Sequence, residues 1–378
     1  MIARPRSLDE ACEIVRSCAQ AQRSIGVATG DEVSGPAGVP VDDVISMREM
    51  NRIVEYAPAD QVVTVEAGMP VGELQAVLRE RNQRLALDPP QPERTSVGAT
   101  VAGNRYGALR TRYGTAKDVI VGMTIVRADG TRARGGGKVV KNVAGFDIPK
   151  LMVGTYGTLA LIGTVTFRLH PLPHANAAVV VEGIEIARVR ALVSAILQAQ
   201  LEPAVIVAAF DGQSYRLQVT FEGFEAGVRA QRNRFTALAG SAREGRDADA
   251  EHDASRWGDV ALKISAPVSQ LESLHASAIL PLYRALNNPH ACIYPSAGVA
   301  FVSGEPGDEA ALLSVLAAAR AWAESAGGAL LVESAPHSLR APFDPWGTPP
   351  PAFALMRALK ARFDPERLLL PGGFVGGL

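Results

Sequence analysis

The chain has 378 residues, 47% apolar and 20% charged, the balance of a soluble globular protein with a large core. At about 150 residues per domain, that length predicts two or three domains. With 38 Lys and Arg against 39 Asp and Glu the net charge is −1, and the few lysines form no run, which excludes a nucleic-acid protein.

No apolar stretch approaches the ~20 residues that span a bilayer, so no direct membrane span is expected. The start, Met1-Ile-Ala-Arg-Pro-Arg6, lacks the apolar core of a signal peptide, and a cytoplasmic location is expected. Cys12, Cys18 and Cys292 are too few and too far apart for a disulfide frame, a zinc ribbon or an iron–sulfur site.

Ser7 with Glu10 three residues on forms a capping box, and Leu8, Ala11, Cys12 and Val15 recur at helical spacing, with both cysteines expected near a buried face. Residues 24–28 read as a strand entering a Gly/Pro loop over 29–40. Residues 44–46, 52–56 and 61–66 read as three short β segments. Pro70 suits a first helical turn, and Val71, Leu74, Val77 and Leu78 mark a helix face. Residues 83–87 are expected as a strand, stopped by Asp88-Pro89-Pro90. Residues 95–104 look like a short helix with small residues where a ligand could approach.

Residues 123–134 read as a hairpin closed by the two-residue turn Asp129-Gly130. Asp147 is placed to cap a helix over 148–153. Residues 158–169 read as a long strand, and His170-Pro-Leu-Pro-His174 breaks it at an expected domain boundary. Strand 177–181, helix 186–198, strands 204–210 and 215–221, helix 227–238 and strand 260–265 then spell a β-α-β-β-α-β unit. Residues 239–257 read as a polar loop. A partial second copy follows: helix 269–280, strand 291–302, helix 309–325 and strand 328–333. A Pro-rich loop over 334–351 leads to a helix at 353–362 and a closing tail.

The common nucleotide and hydrolase motifs fail. In Gly135-Gly-Gly-Lys138 the next residue, Val139, stands where a phosphate loop needs Ser or Thr. No Gly-x-Gly-x-x-Gly opens a helix after a strand, and no Gly-x-Ser-x-Gly elbow occurs. The six histidines, at 170, 174, 252, 275, 290 and 337, form no ligand pattern, so no metal site is expected.

The ordered glycines and prolines carry a resemblance. Asp88-Pro89-Pro90, Thr95-Ser-Val-Gly98, Ala102-Gly-Asn104, Arg112-Tyr-Gly114 with Asp118, Lys141-Asn-Val-Ala-Gly-Phe-Asp147, Gly154-Thr-Tyr-Gly157 and Phe363-Asp-Pro-Glu-Arg-Leu-Leu-Leu-Pro-Gly372 cover about half the chain in order. The set resembles the FAD-binding type 4 family, the flavoproteins related to vanillyl-alcohol oxidase and D-lactate dehydrogenase. Within it the match is most like the FAD-binding subunits of glycolate oxidase. The resemblance implies an α+β fold, with a two-subdomain FAD-binding domain over 1–173 and an α/β cap with antiparallel sheet over 174–340. Residues 341–378 are then expected to return to the first domain.

It also implies cofactor contacts at Thr29, Gly30, Pro89, Pro90, Thr95, Gly98, Ala99, Gly103, Asn104, Tyr113, Gly114, Asp118, Gly154, Gly157 and Ile162. Backbone N–H groups in tight loops suit a pyrophosphate, and Thr95, Gly98 and Asn104 offer hydroxyl, bare backbone and amide on one connection. Arg110 and Arg112 are the candidate catalytic contacts, since a guanidinium fork matches a carboxylate. The FAD should be noncovalent, because no His stands at the loop position that links it in some relatives.

The chain departs from the family elsewhere. Asp31 and Glu32 stand in the usually glycine-rich first pyrophosphate loop, where their side chains should point outward. The His-rich segment of relatives acting on 2-hydroxy acids is missing, and Leu370 replaces a frequent Asn. The leading expectation is the FAD-binding subunit of a multi-subunit 2-hydroxy-acid (glycolate) oxidase or dehydrogenase. Its expected partners are a larger homologous FAD subunit and an iron–sulfur subunit, with any inner-membrane association through them. Tyr113 would pack on the flavin, and Trp346, in Ala341-Pro-Phe-Asp-Pro-Trp346, is the candidate anchor either of a partner interface or of packing against the chain's own first domain. A self-contained FAD-dependent oxidoreductase using the Arg and Tyr groups near residues 105–113, and a non-catalytic assembly subunit whose acidic loop has lost the flavin, are the alternatives.

Overall fold

A computed structural model describes residues 1–28, 38–137, 146–245 and 258–378. The chain divides into two compact units, one of Met1–Gly107, Tyr113–Leu172 and Thr348–Leu378, the other of Ala108–Arg112 and Pro173–Gly347.

In the first unit, helix Leu8–Gln20 starts where the Ser7 hydroxyl accepts the N–H of Glu10, a cap worth about 1 kcal/mol. The Glu10 carboxylate reaches back to the N–H of Arg6 rather than of Ser7. Its buried stripe is Ala11, Cys12, Val15 and Cys18. A three-stranded parallel sheet runs Ile2–Ala3, Asp43–Ser46, Ile25–Ala28 in spatial order. A five-stranded antiparallel sheet runs Ile53–Ala57, Val62–Glu66, Leu161–Arg168, Ile120–Val126, Arg132–Gly136. The C-terminal segment joins this unit after helix Phe353–Phe363. There Leu369 bridges Ile25, whose N–H donates to the Leu368 carbonyl at 2.7 Å.

Two local expectations change here. The strand expected over 83–87 pairs only at Gln83–Arg84, against His170–Pro171. Beyond it the Gln75 side chain replaces a neighbouring strand. Its amide donates to the carbonyls of Leu85 (2.6 Å) and Leu87 (3.3 Å) and accepts the N–H of Leu85 (3.1 Å). The hairpin turn is not the two-residue type, whose favoured forms need φ > 0 at the first central position, here Asp129. Only Gly130 has it (φ +74°), so the loop is three residues, Ala128 to Gly130, closed by Arg127 N–H donating to Thr131 O.

The second unit is built on an eight-stranded antiparallel sheet. Its spatial order is Arg243–Gly245, Ala175–Ile184, Tyr215–Gly223, Val205–Phe210, Leu286–Tyr294, Val299–Pro306, Val260–Ser265, Ala329–Ser334. Alternate residues such as Val179, Leu217, Val219 and Ile264 pack with Val189, Leu192, Phe235 and Leu316 from the helices.

The β-α-β-β-α-β reading therefore needs two corrections. The closing strand of the first copy is Arg243–Gly245, inside the stretch expected to be loop, and it pairs with Ala178, Val179 and Val180. Val260–Ser265 instead opens the second copy. The single strand expected over 291–302 is a hairpin, turned at Pro295 to Gly298, with Gly298 at φ +63°. The second copy is complete, and the two copies join where Val205–Phe210 pairs with Leu286–Tyr294. Residues 246–257 lie outside the described residues.

Candidate functional site

The first unit holds a cleft open to solvent, lined mostly by small and apolar residues. One wall is the end of strand Ile25–Ala28, at Val27 and Ala28. Another is the short helix Val97–Ala102, and the third runs from Tyr156 to Ile162. Ser96 starts the helix by accepting the N–H of Ala99 on its hydroxyl at 3.1 Å. Small side chains keep the walls apart: Gly98, Ala99, Ala102, Gly103, Gly157 and Ala160 all line the space.

The helix ends in a Schellman motif. Asn104 takes the left-handed conformation (φ +45°) and its N–H donates to Val101 O, while the N–H of Arg105 donates to Thr100 O at 2.8 Å. The turn leaves Asn104 Oδ1 buried with no hydrogen-bond partner among the described residues. It also places Arg105 in the cleft lining.

Of the residues expected to contact a cofactor, Gly98, Ala99, Gly103, Gly157 and Ile162 line this cleft. The other described ones are not in its lining. The Thr95 hydroxyl is buried and donates to Pro90 O at 2.7 Å, beside the buried Pro89. The N–H of Gly98 donates to Ala67 O at 2.7 Å. The Thr95 hydroxyl and the Gly98 N–H, both expected to face a pyrophosphate, are thus engaged within the protein. Gly154 lines a neighbouring apolar cavity with Leu159 and Lys360.

Tyr113 accepts a hydrogen bond from Arg84 at 2.8 Å and meets the His170 ring edge-on, rather than lining the cleft. Asp118 accepts from the Thr115 N–H in a capping box, with Gly114 at φ +77° beside it. Arg110 and Arg112 lie on the helix Arg110–Tyr113, outside the cleft lining, and Arg112 donates to the Glu222 carbonyl at 2.9 Å. Thr29, Gly30, Asp31, Glu32 and the stretch from Lys141 to Gly145 lie outside the described residues.

Arg105 and Tyr156 are cleft residues that the motif reading did not single out. The signal for Arg105 was an Asn able to take φ > 0 directly after a helix of small residues, which turns the next side chain back toward the helix end. Tyr156 itself has φ +53°, and its N–H donates to Ala102 O, tying this wall to the helix. Among the described residues no group of three His, Cys, Asp or Glu could hold a metal ion. No helix among them is long and apolar enough to cross a membrane.

Residues 1–136 match the family described as FAD binding domain. The chain is 33% identical over 210 residues to the glycolate oxidase subunit GlcE of Escherichia coli (strain K12), covering 54% of this chain and 58% of that protein. It is 27% identical over 205 residues to the glycolate oxidase subunit GlcD of Bacillus subtilis (strain 168), covering 53% of this chain and 43% of that one. The chain thus spans about half the length of the curated relatives it matches. Among solved structures, an alkyldihydroxyacetonephosphate synthase shares the fold with a TM-score of 0.71 at 18% identity, over 97% of this chain and 76% of that one.

Proposed function

From the match of residues 1–136 to the FAD binding domain family, we propose that the chain is the FAD-binding subunit of a 2-hydroxy-acid oxidase or dehydrogenase of the glycolate type. The observation that carries the reading is the cleft itself. It is bounded by small residues and has one cationic side chain, Arg105, in its lining, which suits a flat heteroaromatic nucleotide bearing an anionic linker. The names of the relatives, glycolate oxidase subunits among them, supply the substrate class.

When bound, the flavin supplies the acceptor for the two electrons lost as an α-hydroxy acid becomes an α-keto acid. The chain's own part is to hold that cofactor. Gly98, Ala99, Gly103, Gly157 and Ile162 would admit it closely, and Val27, Met47 and Ala67 would exclude water. The bond to the protein is noncovalent, so acid denaturation should release the yellow colour into the supernatant.

Partners follow from electron flow. Cys12, Cys18 and Cys292 are each buried and cannot assemble an iron–sulfur cluster, so onward transfer needs a carrier on another chain. A larger related FAD subunit and an iron–sulfur subunit fill that role in this reading. The test is oxidation of glycolate and D-lactate with a dye acceptor, by the purified chain and by the chain with those partners. Slow turnover alone and rapid turnover in the complex is expected. Equal rates would favour a self-contained enzyme, and a colourless native protein would favour an assembly role.

A further inference from the structure

The backbone N–H groups at the two ends of the short helix are engaged within the protein. At the start of the helix, Val97 N–H donates to Met69 O, Gly98 N–H to Ala67 O and Ala99 N–H to Ser96 Oγ. At its end, the N–H groups of Gly103, Asn104 and Arg105 close the Schellman turn. A six-residue helix with its N–H groups so engaged offers an anion little. Among the described residues lining the cleft, Arg105 alone carries a charge, and its guanidinium makes no hydrogen bond or ion pair with a described residue. The neighbouring Gly103 makes room for it, since a Cβ there would come within 3.3 Å of Arg105 Cγ and Nε.

We propose that Arg105 is the residue by which this chain recognises the diphosphate of FAD, and so distinguishes FAD from the same ring system without a diphosphate. The inference rests on the cleft being the FAD site. A guanidinium presents two parallel N–H donors to phosphate oxygens and stays charged at any working pH, so it can supply what the engaged N–H groups of the short helix do not. The Schellman turn fixes its stem, so less side-chain entropy is lost on binding than for a free surface arginine.

The test is titration of flavin-stripped protein with FAD and, separately, with riboflavin, followed by flavin fluorescence. Wild type, Arg105→Gln and Arg105→Lys are each measured at low and high salt. Arg105→Gln should weaken FAD binding by about 10- to 100-fold, the scale of a charged hydrogen-bonded pair. Riboflavin binding should change less than twofold. Arg105→Lys should fall between, because it keeps the charge and loses the fork. The salt dependence of FAD binding should be shallower in Arg105→Gln than in wild type. Unchanged FAD affinity in Arg105→Gln, or equal losses for FAD and riboflavin, would overturn the proposal. Failure of the wild type to take up FAD would instead overturn the assignment of the cleft on which it rests.

Discussion

Lys360 and Asp364 meet at 2.7 Å, four residues apart at the end of helix Phe353–Phe363, with both side chains almost wholly buried. The ammonium also donates to the carbonyls of Thr158 (2.8 Å) and Leu369 (2.7 Å), so its three donors are matched. The carboxylate accepts the N–H groups of Leu368 (2.9 Å) and Leu369 (2.8 Å). Thr158 follows Gly157 of the cleft, and Leu369 bridges Ile25, whose strand reaches the cleft at Ala28. The pair therefore ties two cleft walls to the C-terminal segment. Burial pulls the Lys360 pKa below its ordinary value, while Asp364 opposes that pull.

Lys360→Met should leave Asp364 buried without its counter-charge and lower stability by about 3–5 kcal/mol. Denaturant unfolding would measure it, and flavin should dissociate faster from the variant. An unaltered unfolding midpoint would show that the pair is not holding the segment.

Gly157 sets the width of the cleft. It has φ +78°, and a Cβ there would lie 3.4 Å from Val27 across the opening. Gly157→Val should weaken FAD binding at least tenfold, measured as flavin retained through gel filtration. Gly183→Val is the control, because Gly183 has a similar φ (+67°) and no atom within 4 Å of the added Cβ. Both variants should lose about 1–3 kcal/mol to backbone strain. Only Gly157→Val should lose flavin. Equal flavin loss in the two would assign the effect to strain.

Periodic elements were legible in the amino-acid sequence because their signal is local. Helices Ile186–Gln198 and Glu309–Ser325 and strand Val260–Ser265 have the bounds their apolar spacing predicts. The sheet order was not legible. Arg243–Gly245 is a three-residue edge strand with an exposed start and no apolar alternation, so only its partner, Ala175–Ile184, reveals it. The site divides in the same way. Its small residues show as Gly and Ala in the sequence, whereas the fate of each donor depends on distant carbonyls such as Ala67 and Pro90. The place of Arg105 follows from the left-handed turn at Asn104, a backbone dihedral that residue type alone does not reveal.

In the second unit the Tyr215 hydroxyl meets His275 Nδ1 at 2.8 Å, inside an aromatic group with Phe210 and Tyr283. His275 begins a wide π turn, His275–Ile279, just before Pro281, which has no N–H to continue the regular ladder. Burial first, then the Arg284 charge, push the His275 pKa below 6.5. The unfolded chain then binds the proton more readily than the folded one. Stability from this group is present above about pH 6.5 and declines as pH falls below it. Unfolding followed from pH 8 to pH 5 should show that decline, and His275→Phe should flatten it. An NMR titration placing His275 above the ordinary histidine range would contradict the assigned sign.

Arg320 fixes the segment that the sequence marks as a partner interface. Its guanidinium lies 3.9 Å from the Phe343 ring centre and donates to the carbonyls of Asp344 (2.6 Å) and Leu330 (3.2 Å). The Asp344 carboxylate then accepts the N–H of Gly347 at 3.0 Å and of Trp346 at 3.3 Å. Residues 343–347 are thus held onto their own unit, next to edge strand Ala329–Ser334, whose Val332 N–H donates to Pro345 O. Trp346 is half-buried there, so part of its surface remains open to a partner. Lysine cannot reproduce the planar stack and the two-directional donation, so Arg320→Lys should lower stability by about 1–3 kcal/mol. Trp346→Ala separates the two roles of the segment. If its exposed face anchors a partner, complex formation should weaken well beyond the loss of stability measured for the isolated chain. If the indole serves this unit alone, denaturant unfolding will register the whole effect and affinity for partner subunits will stay unchanged.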